Sequence, residues 1–180
     1  MALTHAILAS LIERPGSGYE LAQRFDRSIG YFWHASHQQI YRELGAMERQ
    51  DWVRVKLVEQ AGRLDKKVYS ARPAGRKALA AWLAEPVEPA GIREDLLVKM
   101  RAAAALGKFA GLIAEVERHR KLHQQRLQMY RAFEKRDFPK PAKLPPAQKL
   151  QYLVLRSGVV YESGWLDWCD EALRTLRDLT

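Results

Sequence analysis

The stretch Trp33-His34-Ala35-Ser36-His37-Gln38-Gln39-Ile40-Tyr41-Arg42-Glu43-Leu44 has the features of a helix start with an exposed first turn. Ser36 is followed three residues later by Gln39, the capping-box pattern in which each side chain bonds the other residue's backbone amide. Ile40, Leu44 and Met47 recur at helical spacing and predict a buried stripe. The first turn then carries polar groups that donate and accept hydrogen bonds, which suits base edges and phosphates. These groups belong to His37, Gln38 and Gln39.

Two further helices are predicted before this one. Helix one runs from Leu3 to Glu13, and helix two runs from a second capping box, Ser17-Gly18-Tyr19-Glu20, to about Arg27. We expect Ser28-Ile29-Gly30 to end helix two. Helix three extends from Ser36 to Gln50 and ends at Asp51, because Asp tolerates the left-handed backbone found at many helix ends.

A β-hairpin is expected after helix three. Residues 52–59 alternate between apolar and charged side chains, and residues 65–71 form the partner strand. The turn lies at 60–64, with Gly62 as the residue of positive φ. Pro73 suits the first position of a fourth helix that ends near Ala84. Trp33 and Trp52, on either side of helix three, are expected in the core, and the basic residues near the hairpin tip are Arg63, Lys66 and Lys67.

The composition changes near residues 85–92, where two prolines and a glycine predict a linker. We therefore expect two domains, a winged helix-turn-helix domain at 1–85 and a helical domain at 93–180. Gly107 is the point at which two helices of the second domain could either join or separate. These helices are expected at 93–106, 108–136 and 147–179, with a proline-rich loop at 138–146.

The last predicted helix carries an apolar stripe that a winged domain of this size cannot cover. Such a stripe must bury against something, so the second domain is expected to form a homodimer. Gly158 and Gly164 lower helix propensity but permit close approach of a neighbouring helix. The stripe consists of Leu150, Val154, Ser157, Tyr161, Trp165, Trp168, Ala172, Leu176 and Leu179.

Composition limits the partners and the compartment. The 180 residues carry a formal net charge of +9, which favours a polyanionic partner, although the basic residues are spread over both halves. Cys169 is the single cysteine, which excludes an intramolecular disulfide and fits a reducing compartment. No apolar run approaches the roughly 20 residues that a membrane span needs, and no signal-like segment opens the chain. We therefore expect a cytoplasmic protein.

No catalytic or metal site is expected. The sequence has no Gly-rich phosphate loop, no Gly-x-Ser-x-Gly motif and no cysteine pair. Glu115, His119 and His123 share one helical face at a spacing that zinc ligands use, but no further Cys or His lies nearby in sequence to complete a site. These observations argue against an enzyme and against a metal or other cofactor.

The order helix, helix, helix, hairpin, helix is that of a winged helix-turn-helix, so the fold class is mainly α with a small β-hairpin. In this arrangement helix three enters the major groove of double-stranded DNA and the basic wing contacts the flanking backbone. Topology leaves one alternative open, a winged-helix adaptor that binds protein and lacks specific DNA binding. The adaptor predicts a stable protein partner and no salt-dependent binding of DNA.

Several motifs in this order resemble the PadR-type transcriptional regulators over residues 3–84. The motifs are Ser17-Gly18-Tyr19-Glu20-Leu21, Trp33-x-x-Ser36-x-x-x-Ile40-Tyr41-x-x-Leu44, Met47-Glu48 and Gly62-Arg63-x-x-Lys66-x-x-Tyr69. The stretch Trp165-Leu166-x-Trp168-x-x-Glu171-Ala172-Leu173 is similar to the C-terminal domain of the larger, virulence-activator-type subfamily. The resemblance implies a homodimer on a palindromic operator, usually a repressor, released by a small aromatic or hydrophobic effector.

This chain departs from the family pattern at three positions. Arg42, Asp51 and Arg72 stand where many members have Pro, Gly and Thr, respectively. Arg42 adds a candidate phosphate contact, and Arg72 leaves the fourth helix without a good cap.

Two sets of residues are candidates for binding, each with a plainer alternative. The DNA candidates could serve only as caps or solvated surface groups, and the aromatic effector candidates could form a packed interface. The DNA-binding candidates are Ser17, Tyr19, Ser36, His37, Gln38, Gln39, Tyr41, Arg42, Arg63, Lys66 and Lys67. The effector-binding candidates are Tyr152, Tyr161, Trp165 and Trp168.

Overall fold

The computed structural model describes residues 2–27, 35–60 and 63–179. Expectations at Ser28-Ile29-Gly30, Trp33 and Gly62 lie outside these residues. The elements in order are α1 (Ala2–Glu13), α2 (Gly18–Arg27), α3 (His37–Arg49), β1 (Val53–Gln60), β2 (Arg63–Ala71), α4 (Pro73–Leu83), α5 (Asp95–Leu106), α6 (Ala110–Asp137), a 3₁₀ turn (Pro141–Lys143) and α7 (Pro146–Asp178).

The fold class predicted from the element order is confirmed. The described chain is mainly helical, and its strands form one two-stranded antiparallel hairpin. Contacts divide the chain into two units, residues 1–89 and 90–180.

The core of the first unit collects the apolar stripes of three helices. Ile40, Leu44 and Met47 of α3 are fully buried, as their spacing predicts. α3 stops where it does because Asp51 adopts φ 60°, the left-handed conformation expected there. The residues buried with the α3 stripe are Ile7, Leu8 and Leu11 of α1, Leu21, Ala22 and Phe25 of α2, Val53 of β1 and Tyr69 of β2.

The hairpin is anchored at its base and exposed farther out. Val53 pairs with Ala71 and is buried, whereas Leu57, on the same side of β1, is 60% exposed. The pairing is irregular between Val58 and Gln60. The outer half of the wing therefore extends away from the core, which leaves its side chains available for another molecule.

Helix α4 closes the first unit. Pro73 occupies the first helical turn, and Arg72 provides no side-chain cap, as the sequence predicts. Gly75 is required by close packing, because a Cβ at this position would lie 2.5 Å from the carbonyl oxygen of Trp52. Trp82 stacks on His5 of α1 with ring centroids 4.4 Å apart. Trp52 is half-buried against the core.

The second unit is built on an antiparallel pair, α6 and α7. Contacts between Glu134 and Tyr152 at one end, and between Glu117 and Arg177 at the other, show the antiparallel direction. Helix α5 ends at Gly107 with φ 62°, so α5 and α6 are separate helices. Among the described residues, none of the helices is long and apolar enough to cross a membrane. The buried apolar cluster consists of Leu96, Leu112, Val116, Cys169, Leu173 and Leu176.

The stripe predicted for the last helix does not coincide with the face that α7 buries within this chain. Of the nine predicted members only Leu176 is buried, while Trp165, Trp168 and Ala172 are half-buried. The reason is that α7 is apolar on more than one side, and packing against α6 selects the side. The members left exposed are Leu150, Val154, Ser157, Tyr161 and Leu179, and the face actually buried consists of Val159, Glu162, Cys169, Leu173 and Leu176.

Candidate nucleic-acid interface

The start of α3 is built by the predicted capping box. The Ser36 hydroxyl accepts a hydrogen bond from the Gln39 amide at 3.2 Å, and the Gln39 side-chain oxygen accepts from the Ser36 amide at 2.8 Å. The box satisfies backbone donors that the first turn of a helix leaves open. It also uses one of the two acceptor positions of the Gln39 side-chain oxygen and leaves the side-chain NH₂ to donate to a partner.

The remaining polar groups of the first turn are exposed. His37 and Gln38 are both exposed, and neither forms a side-chain hydrogen bond with another described residue. Gln38 lies on the side of α3 away from Ile40 and Leu44, whereas His37 is exposed because it is the first residue of the helix. Arg42 follows one turn later with a side chain that is 72% exposed and 3.6 Å from Glu43. The start of α3 therefore presents two polar side chains without a hydrogen-bond partner among the described residues, and Gln38 shares its helical face with the Arg42 guanidinium one turn later.

The start of α2 places its two candidate residues differently. Ser17 is 7% exposed, its hydroxyl accepts from the Glu20 amide, and its own amide donates to the Glu20 carboxylate. Ser17 is therefore a capping residue without an accessible hydroxyl. Tyr19 is 58% exposed, and its hydroxyl accepts a hydrogen bond from Gln23 at 2.9 Å.

Tyr41 connects α3 to the start of α2. A Cβ at Gly18 would lie 2.2 Å from Cε1 of the Tyr41 ring, so only glycine fits beneath the ring in this position. Tyr41 is nevertheless 49% exposed. The residue thus packs one part of its ring and leaves another part at the surface.

The two adjacent lysines of β2, Lys66 and Lys67, are not equivalent. Lys66 pairs with Val58 and Lys67 with Leu57, so that the two side chains point to opposite faces of the hairpin. Lys66 donates to Glu20 at 2.7 Å, whereas Lys67 is exposed and forms no ion pair with a described residue. The side chain of Arg63 lies outside the described part of the structure.

The hydrogen bonds at Glu20 alter its acidity. The bond from Lys66 is the largest influence, followed by the bond from the Ser17 amide, and together they lower the pKa of Glu20 from 4.5 to about 2. Glu20 is therefore ionised at every physiological pH.

Reasoning from the sequence missed several residues around this surface. Arg24 donates to the carbonyl oxygens of Ser10, Arg14 and Pro15, and so organises the turn before α2. Arg54 and Lys56 add exposed positive charge to β1 on the same face as Lys66. Arg54 and Lys56 could have been found from the alternation of apolar and charged residues along β1. Arg24 could not, because its hydrogen bonds reach residues 9 to 14 positions away and leave no local pattern in the sequence.

The four aromatic effector candidates do not form one cluster within the chain. Trp165 lies 5.1 Å from Trp168 and 6.5 Å from Tyr161, measured between ring centroids. Tyr152 lies more than two helical turns away, where it packs against Phe138 and donates to Glu134. A groove of about 260 Å³ between α6 and α7 is lined by none of the four.

Two of the three α6 residues at a zinc-ligand spacing, Glu115 and His123, are engaged by other side chains. Glu115 bonds Lys99 and Arg118, and these two cations lower its pKa to about 2. His123 turns instead toward Glu162 of α7. No group of three candidate ligands that could hold a metal ion occurs within the described residues.

Comparisons with known proteins agree with the geometry. Residues 7–81 match the transcriptional regulator PadR-like family, and residues 92–177 match the virulence activator alpha C-terminal family. A probable transcriptional regulator of Mycobacterium tuberculosis is 48% identical over 188 residues, which cover 99% of each chain.

Two solved proteins share the fold along nearly the whole chain. The virulence activator AphA of Vibrio cholerae is 31% identical and superposes with a TM-score of 0.80 over 99% of both chains. Bacillus subtilis PadR in complex with operator DNA is 22% identical, with a TM-score of 0.84 over 98% of this chain and 99% of that one. PadR has also been solved with p-coumaric acid. The present chain belongs to the PadR-like family of transcriptional regulators and carries the virulence-activator type of C-terminal region.

Proposed function

We propose that this regulator binds a palindromic operator as a homodimer, with the first turn of α3 in the major groove and the wing on the flanking backbone. The observation that carries the proposal is the exposed, capped turn of α3. His37 and Gln38 are free to bond base edges there, while the buried stripe of the same helix holds the turn in place. Positive charge on the wing at Arg54, Lys56 and Lys67 supplies groups for phosphate contacts.

The homodimer is supported by the uncovered apolar face of α7. Leu150, Leu153, Val160 and Tyr161 are each between 58% and 67% exposed, and they follow one another along the first half of the helix. Gly164 continues this face, and a Cβ there would meet no atom within 4 Å. A face of this kind is stable in water when a second copy covers it. A dimer would carry two copies of α3 to two half-sites about 34 Å apart.

Control by an effector forms the second part of the proposal. The relative from Bacillus subtilis is a negative regulator, and its structure with p-coumaric acid shows that the fold accommodates a small aromatic acid in that protein. In the present chain the candidates reduce to Tyr161, Trp165 and Trp168, because Tyr152 is distant from them. We propose that such a ligand releases the operator and that the protein represses transcription in the cytoplasm.

Selection from random duplexes at about 150 mM salt tests the DNA-binding proposal. The expected result is a two-fold-symmetric motif whose half-sites are one helical turn apart. Retention of all sequences alike, lost on raising the salt, would overturn operator recognition, and failure to retain any duplex would favour the adaptor.

Gln38→Ala is the sharpest variant for base contact, since Gln39→Ala would also remove the cap. Loss of a good base contact costs about 1–3 kcal/mol and relaxes the preference at one position of the motif. Gln50→Ala, an exposed glutamine at the other end of α3, is the matched control and should change neither affinity nor preference.

A further inference from the structure

An ion pair attaches the wing to the start of α2. Nζ of Lys66 lies 2.7 Å from Oε1 of Glu20, and the two side chains are 31% and 42% exposed. The second carboxylate oxygen of Glu20 accepts from the Ser17 amide at 2.8 Å and from the Ser17 hydroxyl at 3.2 Å. Because both oxygens are bound, the carboxylate has a defined position from which to hold Lys66.

A second attachment lies nearer the base of the wing. The Gly16 amide donates to the Tyr69 carbonyl at 3.1 Å, and the Tyr69 amide donates to the Gly16 carbonyl at 2.9 Å. Lys66 is three residues farther along β2, roughly 10 Å toward the tip at the rise of an antiparallel strand. The ion pair thus extends the attachment into the half of the wing that leaves the core.

The turn that receives the wing is itself held in place. Arg24 bonds three carbonyl oxygens of the segment from Ser10 to Pro15. Gly16 leaves room for this guanidinium, since a Cβ there would lie 1.9 Å from an Arg24 nitrogen. On the other side of the same turn, Gly18 lies beneath the Tyr41 ring of α3. The position of Glu20 is therefore tied to the position of α3.

We propose that Lys66 is a positioning residue, which through Glu20 sets the distance and angle between the wing and α3, and that of the two adjacent lysines of β2 it is Lys67 that contacts phosphate. The inference rests on the proposed binding of operator DNA for its consequence, but the position of the wing can be measured without DNA. Glu20 is a carboxylate on a face that would approach DNA, so the simplest expectation is that removing its charge tightens binding. The proposed role predicts that removing it weakens binding.

The variants Glu20→Gln and Lys66→Met, alone and combined, test this role on the duplex recovered by selection. Glutamine preserves the capping box and removes the charge. If Lys66 positions the wing, Glu20→Gln weakens specific binding on the order of two- to fivefold, the scale of a partly exposed ion pair, and the double variant binds no worse than Lys66→Met. Tighter or unchanged binding by Glu20→Gln would overturn the proposal, because loss of a negative charge helps any direct phosphate contact.

Salt dependence separates positioning from contact. Lys67→Met is the matched control and should lower the slope of log affinity against log salt by about 0.9, as expected for one lost phosphate contact. Lys66→Met should leave the slope nearly unchanged, and Lys66→Arg should restore affinity. A slope change of equal size in both methionine variants would contradict the assigned roles.

Hydrogen exchange of the free protein keeps the inference testable if no operator is recovered. Faster exchange of the β2 amides at residues 65–69 in Glu20→Gln and Lys66→Met, but not in Lys67→Met, would support the attachment. Unchanged exchange in all three variants would overturn it whatever the protein binds.

Discussion

Nδ1 of His123 lies 2.5 Å from Oε2 of Glu162, inside the second unit, where the two residues are 5% and 3% exposed. Trp165 stacks on the imidazole with ring centroids 4.8 Å apart and planes 4° from parallel. The pair joins the middle of α6 to the middle of α7. Buried polar groups of this kind are tolerated because each satisfies the other.

Removing one member of this pair should lower the free energy of unfolding much more than removing both members. His123→Leu leaves the Glu162 carboxylate buried without its partner and should lower the free energy of unfolding by about 3–5 kcal/mol. The double variant His123→Leu/Glu162→Leu should recover most of the loss. Urea denaturation of the full chain measures both. Glu117→Gln, in an exposed pair with Arg177, is the control and should cost less than about 1 kcal/mol. Equal losses of unfolding free energy in the single and double variants would refute the claim that His123 and Glu162 satisfy each other's hydrogen-bonding groups.

Cys169 should react slowly in the folded protein. It is fully buried, and burial, followed by the nearby charge of Asp170, raises the pKa of its thiol. Since the thiolate is the reactive form, both effects slow alkylation. Iodoacetamide labelling followed by mass spectrometry should show little modification of native protein and complete modification in urea. Cys169 is the only cysteine of the chain, so any cysteine modification that is detected can be assigned to it. Rapid native labelling would mean that this part of the core opens readily.

Two glycines of the first unit should respond oppositely to alanine. Gly75→Ala places a Cβ 2.5 Å from the Trp52 carbonyl oxygen and 3.0 Å from Leu8, so it should lower the free energy of unfolding by about 1–3 kcal/mol. Gly45→Ala, within α3, brings the Cβ no closer than 3.7 Å to Arg49. It should raise the free energy of unfolding by about 0.5–1 kcal/mol through helix propensity. The change in the midpoint of thermal unfolding gives the sign of each effect. A change in the same direction for both variants would contradict the packing described for these two glycines.

Acid should weaken the attachment of the wing in a defined pH window. Because folding lowers the pKa of Glu20 from 4.5 to about 2, its contribution to stability is complete above about 4.5 and is lost as the pH falls toward 2. Titration of the ¹³C shift of the carboxyl group measures the pKa directly. Lys66→Met should raise it partway, since the Ser17 bonds remain. A pKa near 4.5 in the unmodified protein would show that the ion pair does not form in solution.

The exposed face of α7 should control the oligomeric state. Leu153 is 62% exposed on this face, and Leu153→Lys places a charge where we propose the second copy to pack. Sedimentation of the unmodified chain at micromolar concentration should give twice the 20.7 kDa of one chain, and the variant should shift toward the single-chain mass. Val87→Lys, at a residue that is 76% exposed outside the helices, is the control. A single-chain mass for the unmodified protein would exclude the homodimer.

Local features of this protein were predictable from residues close together in the chain. Both capping boxes, the left-handed Asp51 and the Pro73 helix start depend on interactions within a few residues, and all of them are present. The buried stripe of α3 was predictable for a similar reason, since its helix has one apolar side. The order of the elements then limited the first unit to a winged helix.

Contacts between distant residues had no such signal. Glu20 and Lys66 are 46 positions apart, and each alone looks like an ordinary charge at a helix start or on a strand. The face of α7 that packs within one chain was not predicted, because the helix has apolar residues on several sides and only packing against α6 decides which of them is buried there. The same packing encloses His123 and Glu162 together, although 39 residues separate them. The periodicity of a sequence shows that a helix has an apolar face. Whether that face is buried depends on which other element of the tertiary structure packs against it.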